Sequence, residues 1–207
     1  MSDDHHLPSG PPTGRFAVVQ QRQRVFSGFL NVDEALISHS RYDGGTQVVR
    51  RQSLERSDSA ALALVDRRRQ IIFLAEQFRF PTLANGPGWL RELPAGEIRA
   101  DETAAQAATR ETFEETGFVV GRCEPIATFY ASPGGSSERI SLFYAPVDGL
   151  TADSVGAAAV RDAGEDIAIV EEPLERFFDD CRGGRIADAK TLVAGLWILA
   201  HRVRLGL

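Results

Sequence analysis

Residues 96–118, GEIRADETAAQAATRETFEETGF, decide how this chain is read. Between Glu97 and Glu115 the stretch holds six acids, Glu97, Asp101, Glu102, Glu111, Glu114 and Glu115, against two bases, Arg99 and Arg110. The pattern predicts a helix over about 101–116 that stops at Gly117, a residue suited to the left-handed position after a last turn. On that helix Glu111, Glu114 and Glu115 fall at i, i+3 and i+4 and share one face. Like charges at this spacing cost an isolated helix about 0.2–0.5 kcal/mol per pair. A hard divalent cation among them makes sense of the cluster, since Mg²⁺ takes oxygen ligands and keeps several waters, leaving room for phosphate oxygens. A solvated acidic face is the alternative that the three glutamates alone leave open.

Working outward, Ala60–Val65 and Gln70–Glu76 read as buried strands joined by the charged turn 66–69, and Leu90–Leu93 as a further short strand. Beyond the helix, strands are expected at Val119–Cys123, Pro125–Tyr130, Ile140–Val147 and Ile167–Val170, and helices at Pro173–Cys181 and from Asp188 to about Arg204. Residues 149–164 are rich in Ala, Gly and Asp without a period and predict a mobile loop. Strands interleaved with a few helices imply a sheet sandwiched by helices. Toward the N-terminus, Phe16–Val19, Gln23–Leu30, Ala35–Ser40 and Thr46–Leu54 read as strands, with Asp43-Gly44-Gly45 as a turn. This meander has too few apolar residues for a core of its own and must pack on the main domain or on a second subunit. Residues 1–14, with Pro8, Pro11, Pro12, Gly10 and Gly14, are expected to be a disordered tail, and His5 and His6 within it a solvated pair. The chain therefore divides into a tail (1–14), an N-terminal β-segment (15–57) and a main domain (58–207).

Composition bounds the function. With 207 residues, 43% hydrophobic and 25% charged, the chain reads as globular and large enough to bury a core. A net charge of -6 argues against a nucleic-acid binder, which would need a basic face. The longest apolar run, Leu192–Ala200, is too short for a membrane span of roughly 20 residues. The opening Met1-Ser2-Asp3-Asp4-His5-His6 lacks the apolar stretch of a secretory signal. Cys123 and Cys181 lie far apart and fit no metal-ligand spacing, which suggests a reduced, cytoplasmic protein.

Spacing sharpens the acidic helix. Five residues separate Gly96 from Glu102, seven more lead to Arg110-Glu111, and Glu114-Glu115-x-Gly117-Phe118 follows. This resembles the Nudix box, Gly-x5-Glu-x7-Arg-Glu-U-x-Glu-Glu-x-Gly-U with U a bulky apolar residue, and the chain is identified as similar to Nudix hydrolases. Thr112 stands where a bulky aliphatic is usual, a departure that touches helix packing and no charged position. Leu93-Pro94-Ala95 ahead of the box, Pro133 placed 16 residues after Gly117, and segments around Arg50-Arg51, Glu76–Arg79, Gly164–Ile167 and Gly184–Asp188 look like the ADP-ribose pyrophosphatase branch over about 26–201.

The resemblance implies an α/β (α+β) fold, a Nudix-type α/β/α sandwich with a mixed β-sheet plus a small N-terminal antiparallel β-segment. It implies Mg²⁺, with Mn²⁺ as the alternative, held by Glu111, Glu115 and Glu114 and by the backbone carbonyl of Ala95. Glu102 reads as a structural partner rather than a ligand. Arg110 can orient neighbouring carboxylates by charge-assisted hydrogen bonds. Arg51 and Arg79 are candidates for diphosphate or sugar contact, since guanidinium offers phosphate a bidentate fork; a surface salt bridge is the alternative for each. Ser132 and Gly134, within Ser132–Gly135, would present backbone N–H groups beside a sugar, or form a plain tight turn. Glu138 either joins the metal cluster or orients Arg79. Phe29 is placed like an aromatic that stacks on the nucleobase, or is a buried residue of the small sheet. The general base is expected on the loop before the last strand: Glu165, with Asp162 and Asp166 as alternatives. The implied reaction is hydrolysis of ADP-ribose to AMP and ribose 5-phosphate by a homodimer joined through the N-terminal segment. Other readings are another nucleoside diphosphate sugar such as GDP-mannose, or a non-catalytic nucleotide-sensing module.

Overall fold

The computed structural model describes residues 14–147 and 166–207. The expected tail up to residue 13, the expected loop, and Asp162 and Glu165 lie outside the described residues. Among the described residues ten strands and three α-helices follow one another: β1 (Ala17–Ser27), β2 (Asn31–Ser40), β3 (Thr46–Glu55), β4 (Ser59–Asp66), β5 (Ile71–Phe78), β6 (Trp89–Glu92), β7 (Ala95–Glu97), α1 (Ala104–Thr116), β8 (Glu124–Tyr130), β9 (Arg139–Val147), β10 (Ala168–Pro173), α2 (Leu174–Arg182) and α3 (Ala189–Leu205), with a short 3₁₀ turn at Phe80–Ala84. They form two compact units. One runs up to Asp58 and includes Thr128–Arg139; the other comprises Ser59–Ala127 and Ile140–Leu207.

The first unit is an antiparallel sheet in the order β1-β2-β3. Its first two expected strands are one continuous strand with register shifts at Val19/Gln21 and Arg24/Phe26. Every residue of β1 is exposed, including Val18, Val19, Val25 and Phe26. Asp33, the third residue of β2, is buried; Arg22 donates to it at 2.7 Å and Arg24 also pairs with it. The segment after β8 folds onto the end of β3: the Leu54 N–H donates to the Gly135 carbonyl at 2.8 Å and the Ser137 N–H to the Leu54 carbonyl at 3.0 Å.

In the second unit, a mixed seven-stranded sheet is built on the order β10-β5-β4-β9-β8. Strands β4 and β9 run parallel; β10–β5, β4–β5, β4–β7 and β5–β6 are antiparallel. Residues 60–65 of β4 are completely buried, and their alternation separates two faces. Ala60, Leu62 and Leu64 join Phe73, Ala107, Ala108, Phe118 and Phe143 under α1. On the opposite face Tyr144 packs on Trp197 of α3, ring centroids 5.9 Å apart. The α2 positions Leu174, Phe177, Phe178 and Cys181 are buried at i, i+3, i+4 and i+7, the stripe of a helix laid on a sheet. This is the mixed sheet between helix layers that the sequence implied. Among the described residues no helix is long and apolar enough to cross a membrane.

The central feature is a fork. β4 pairs with β5 only over Leu64–Asp66; toward its other end, Ser59–Ala61 pair instead with β7. β5 likewise leaves β4 and pairs with β6 from Ala75 to Phe78. The connection from β6 to β7, Leu93-Pro94, thus lies where two strands splay, and the Leu62 N–H closes on the Pro94 carbonyl at 3.1 Å.

Two expectations differ. The helix starts at Ala104 rather than near Asp101, because Thr103 caps it: its hydroxyl accepts from the Gln106 N–H at 3.3 Å while the Gln106 side chain accepts from the Thr103 N–H at 2.9 Å. Val119–Cys123 is not a strand; Phe118 is buried, edge-on to Phe73 at 4.7 Å, and Val120 and Cys123 pack on the same cluster as irregular chain. Thr112 is completely buried, its hydroxyl donating to the Ala108 carbonyl at 2.7 Å, so the substituted position still faces the core.

Gly117 ends α1 in the left-handed region, at φ +73°. Gly117→Ala is expected to cost about 1–2 kcal/mol in urea unfolding, the penalty of a Cβ in that conformation. Gly121→Ala, where an added Cβ meets nothing within 4 Å, should be neutral or slightly stabilising.

Candidate active site

Helix α1 presents its acids to β7. The Arg110 side chain is mostly buried, and three of its nitrogens are committed. Nε and Nη2 donate to the Glu102 carboxylate at 3.0 and 2.6 Å, a two-pronged pair. Nη2 also donates to the Glu97 carbonyl at 3.0 Å. Nη1 donates to Glu111 at 2.5 Å and to Glu114 at 2.9 Å. One cation thus holds three carboxylates and the end of β7 together. The Glu102 carboxyl is drawn down to about 2, chiefly by the Arg110 hydrogen bonds, and the Arg110 pKa is raised by the same contacts. Glu102 also accepts from the Arg99 N–H at 2.9 Å, which shapes the turn ahead of the helix.

Glu111 is different. Burial pushes its carboxyl up, against the hydrogen bond and charge of Arg110, which pull it down. Its carboxylate lies against Gly96, where any Cβ would coincide with the carboxylate atoms. The glycine is required for this close approach, which brings Glu111 beside the backbone that follows Ala95. Glu114 is also within 3.6 Å of Arg99. Glu115 lies one helical turn beyond Glu111 and is half-buried. No three acidic, histidine or cysteine side chains among the described residues converge into a ready cage for a cation. Arg110 draws Glu111 and Glu114 onto itself. The oxygen-rich donor set, with one carboxylate pushed against a backbone turn, nevertheless suits a hard divalent cation far better than a soft one.

Arg79 follows β5, and its side chain forms a fork with Glu92 at 2.8 and 3.2 Å. Glu138 lies 3.6 Å from Arg56. Glu92 also accepts from Lys190 at 2.6 Å. Neither Glu92 nor Lys190 stands out in the sequence. Their signal is positional: Glu92 directly precedes Leu93-Pro94-Ala95-Gly96, and Lys190 lies in the first turn of α3.

In the other unit, Arg51 is exposed and donates to the Arg50 carbonyl at 2.9 Å. Phe29 sits at the tip of the β1–β2 turn and is 98% exposed, which rules out the buried alternative. Ser132–Gly135 forms a tight turn, with the Gly135 and Ser136 N–H groups donating to the Ser132 carbonyl at 3.1 and 2.9 Å. Asp166, the one candidate base among the described residues, is exposed.

A family model described as the NUDIX domain matches residues 55–156. An ADP-ribose pyrophosphatase from Escherichia coli (strain K12) is 34% identical over 182 residues, spanning 87% of this chain and 86% of that protein. A GDP-mannose pyrophosphatase from Pectobacterium atrosepticum is 35% identical over 165 residues, 79% of this chain and 81% of its own length. One from Cronobacter sakazakii is 35% identical over 156 residues.

The Arg110–Glu102 pair makes a pH prediction. Because the folded carboxyl titrates near 2 rather than at the usual 4.5, its ionised form stabilises the fold above the ordinary carboxylate range. That contribution fades as pH falls through 4.5 toward 2. The stability gap between wild type and Glu102→Gln, measured by urea unfolding, is expected to be flat above about pH 5 and to close below it.

Proposed function

Starting from a chain that belongs to the Nudix family and its ADP-ribose pyrophosphatase branch, we propose that it hydrolyses ADP-ribose to AMP and ribose 5-phosphate. It is a Nudix pyrophosphatase of nucleoside diphosphate sugars that works with a divalent metal. The observation that carries the reading of the site is the Arg110 clamp, which gathers Glu102, Glu111 and Glu114 while Glu111 lies against Gly96.

The residues suit Mg²⁺, with Glu111, Glu115 and Glu114 and the Ala95 carbonyl as its holders. When bound, the cation supplies charge neutralisation for the diphosphate and a more acidic water. The chain supplies the rest. Arg110 keeps the carboxylates of Glu102, Glu111 and Glu114 aimed. Arg79 and Arg51 donate to the diphosphate or to the sugars, Phe29 stacks on the base, and the turn at Ser132 and Gly134 leaves room beside a sugar, with Glu138 at its edge. Glu165 takes the proton of the attacking water, Asp162 and Asp166 being the alternatives. Water oxygen adds to one phosphorus, the bridging P–O bond breaks, and the second phosphate departs with its sugar.

Two further points belong to this reading. The exposed apolar side chains of β1 and the N-terminal segment fit a homodimer formed through that sheet, in the cytoplasm. GDP-mannose is the second substrate to weigh, because relatives bearing that name match at 35% identity. The three box glutamates argue against a sensing module without catalysis.

Purified protein with Mg²⁺ is expected to convert ADP-ribose to AMP and ribose 5-phosphate faster than it releases GMP from GDP-mannose, with products identified by chromatography. Faster GMP release would move the protein to the other substrate. Glu165→Gln should lower kcat strongly with little effect on KM; near-normal turnover sinks that assignment. Sedimentation at micromolar concentration is expected to give a dimer, and a monomer would remove the proposed interface.

A further inference from the structure

Glu92, at the end of β6, is only 3% exposed. A carboxylate buried that deeply is tolerable only if it is paired and its remaining lone pairs are used. Glu92 meets both conditions. Arg79 grips it through Nε and Nη2, at 2.8 and 3.2 Å, and Lys190 Nζ donates to Oε2 at 2.6 Å. Burial pushes the Glu92 carboxyl up, but the Arg79 hydrogen bond and the Lys190 charge outweigh it and hold the group ionised.

The chain of contacts continues. Lys190, itself buried, also donates to Asp188 at 3.0 Å. Asp188 caps α3, accepting from the Thr191 N–H at 2.9 Å and from its hydroxyl at 2.6 Å. The same hydroxyl accepts the Leu93 N–H at 2.9 Å. Two cations and two carboxylates alternate from the N-terminus of α3 to the Arg79 guanidinium. The last link, from Thr191 to Leu93, reaches the backbone that leads into Ala95 and Gly96.

One end of this network reaches water. The Arg79 side chain is 40% exposed, whereas Glu92 and Lys190 are below 10%. The Arg79 backbone is fixed as well: its N–H donates to the Gly88 carbonyl at 2.6 Å and its carbonyl accepts from Thr82 at 2.9 Å. A fork that uses Nε and Nη2 sets the plane of the guanidinium, which a single contact would not. For stability alone, well-packed apolar residues serve a buried position as well as an ion network does. A network with Glu92 and Lys190 buried and the Arg79 side chain at its partly exposed end is suited to aiming that side chain.

We infer that Glu92, backed by Lys190, is a positioning residue for hydrolysis: it aims Arg79 at the substrate diphosphate and acts on the reaction through Arg79. The inference rests on the proposed function, in which Arg79 contacts the substrate.

The test is a double-mutant cycle on the full chain with Mg²⁺ and whichever of ADP-ribose and GDP-mannose the wild type turns over faster. Arg79→Gln is expected to lower kcat/KM by about 100-fold or more, as for loss of a preorganised donor to developing charge. Glu92→Gln should lower it about 10–100-fold. In the Arg79→Gln background Glu92→Gln should cost almost nothing further, the signature of one residue working through another. Glu92→Asp keeps the charge beside Lys190 but shortens the reach to Arg79; it should melt close to wild type and still lose activity, which separates aiming from folding. Penalties that multiply in the double variant, or full activity in Glu92→Asp with the Arg79 effect intact, would overturn the positioning role alone. A near-normal Arg79→Gln would overturn both the Arg79 contact and this inference. A wild type inactive on both substrates would overturn the proposed function and this inference with it.

Discussion

The Arg110 guanidinium lies among three carboxylates and a carbonyl, and much of the site depends on its staying there. Glu102, Glu111 and Glu114 come from the turn before α1 and from two levels of the helix itself. Without the cation between them, their mutual repulsion would favour a frayed or rotated helix. With it, their charges tie the helix to the Glu97 carbonyl of β7. The arginine therefore serves two ends with one set of bonds. It lets the fold tolerate an acidic cluster, and it keeps that cluster next to the backbone of Ala95 and Gly96.

Small side chains make the approach possible. The α1 face that meets the sheet carries Ala107 and Ala108, and β4 adds Ala60, Leu62 and Leu64 to the same cluster. Spacing is set by the side chains at the contact, so the two alanines of α1 let the helix lie close to the sheet. At Gly96 even a methyl group is absent, and the Glu111 carboxylate occupies the space. The fork between β4 and β5 does the complementary work on the sheet. It leaves an opening that β6 and β7 fill, and it places Glu92, Arg79 and the Leu93-Pro94 link within reach of the cap of α3.

Legibility in the sequence followed the range of the physics. Elements with a local signal are readable: the helix of α2, the continuous apolar run of β4, the acidic face of α1. Val119–Cys123 misled because apolar content there serves packing under Phe73 rather than pairing with another strand. A helix start near Asp101 fails because Thr103 and Gln106 form the reciprocal cap and Glu102 is turned toward Arg110. Phe29 was ambiguous because an aromatic in a short strand pattern carries no sign of burial; its position at the tip of a two-strand turn settles its exposure.

The sequence by itself determined the family, the mixed sheet between helices and the identities of the clustered acids, since each is written in spacing over fewer than about 25 residues and in helical or strand period. Only the tertiary structure decided which cation holds which carboxylate. Arg79 with Glu92 and Lys190, a pairing across 98 residues of chain for the lysine, leaves no periodic trace, because a buried charge finds its partner through the path of the backbone and the cost of desolvation, and neither is local in sequence.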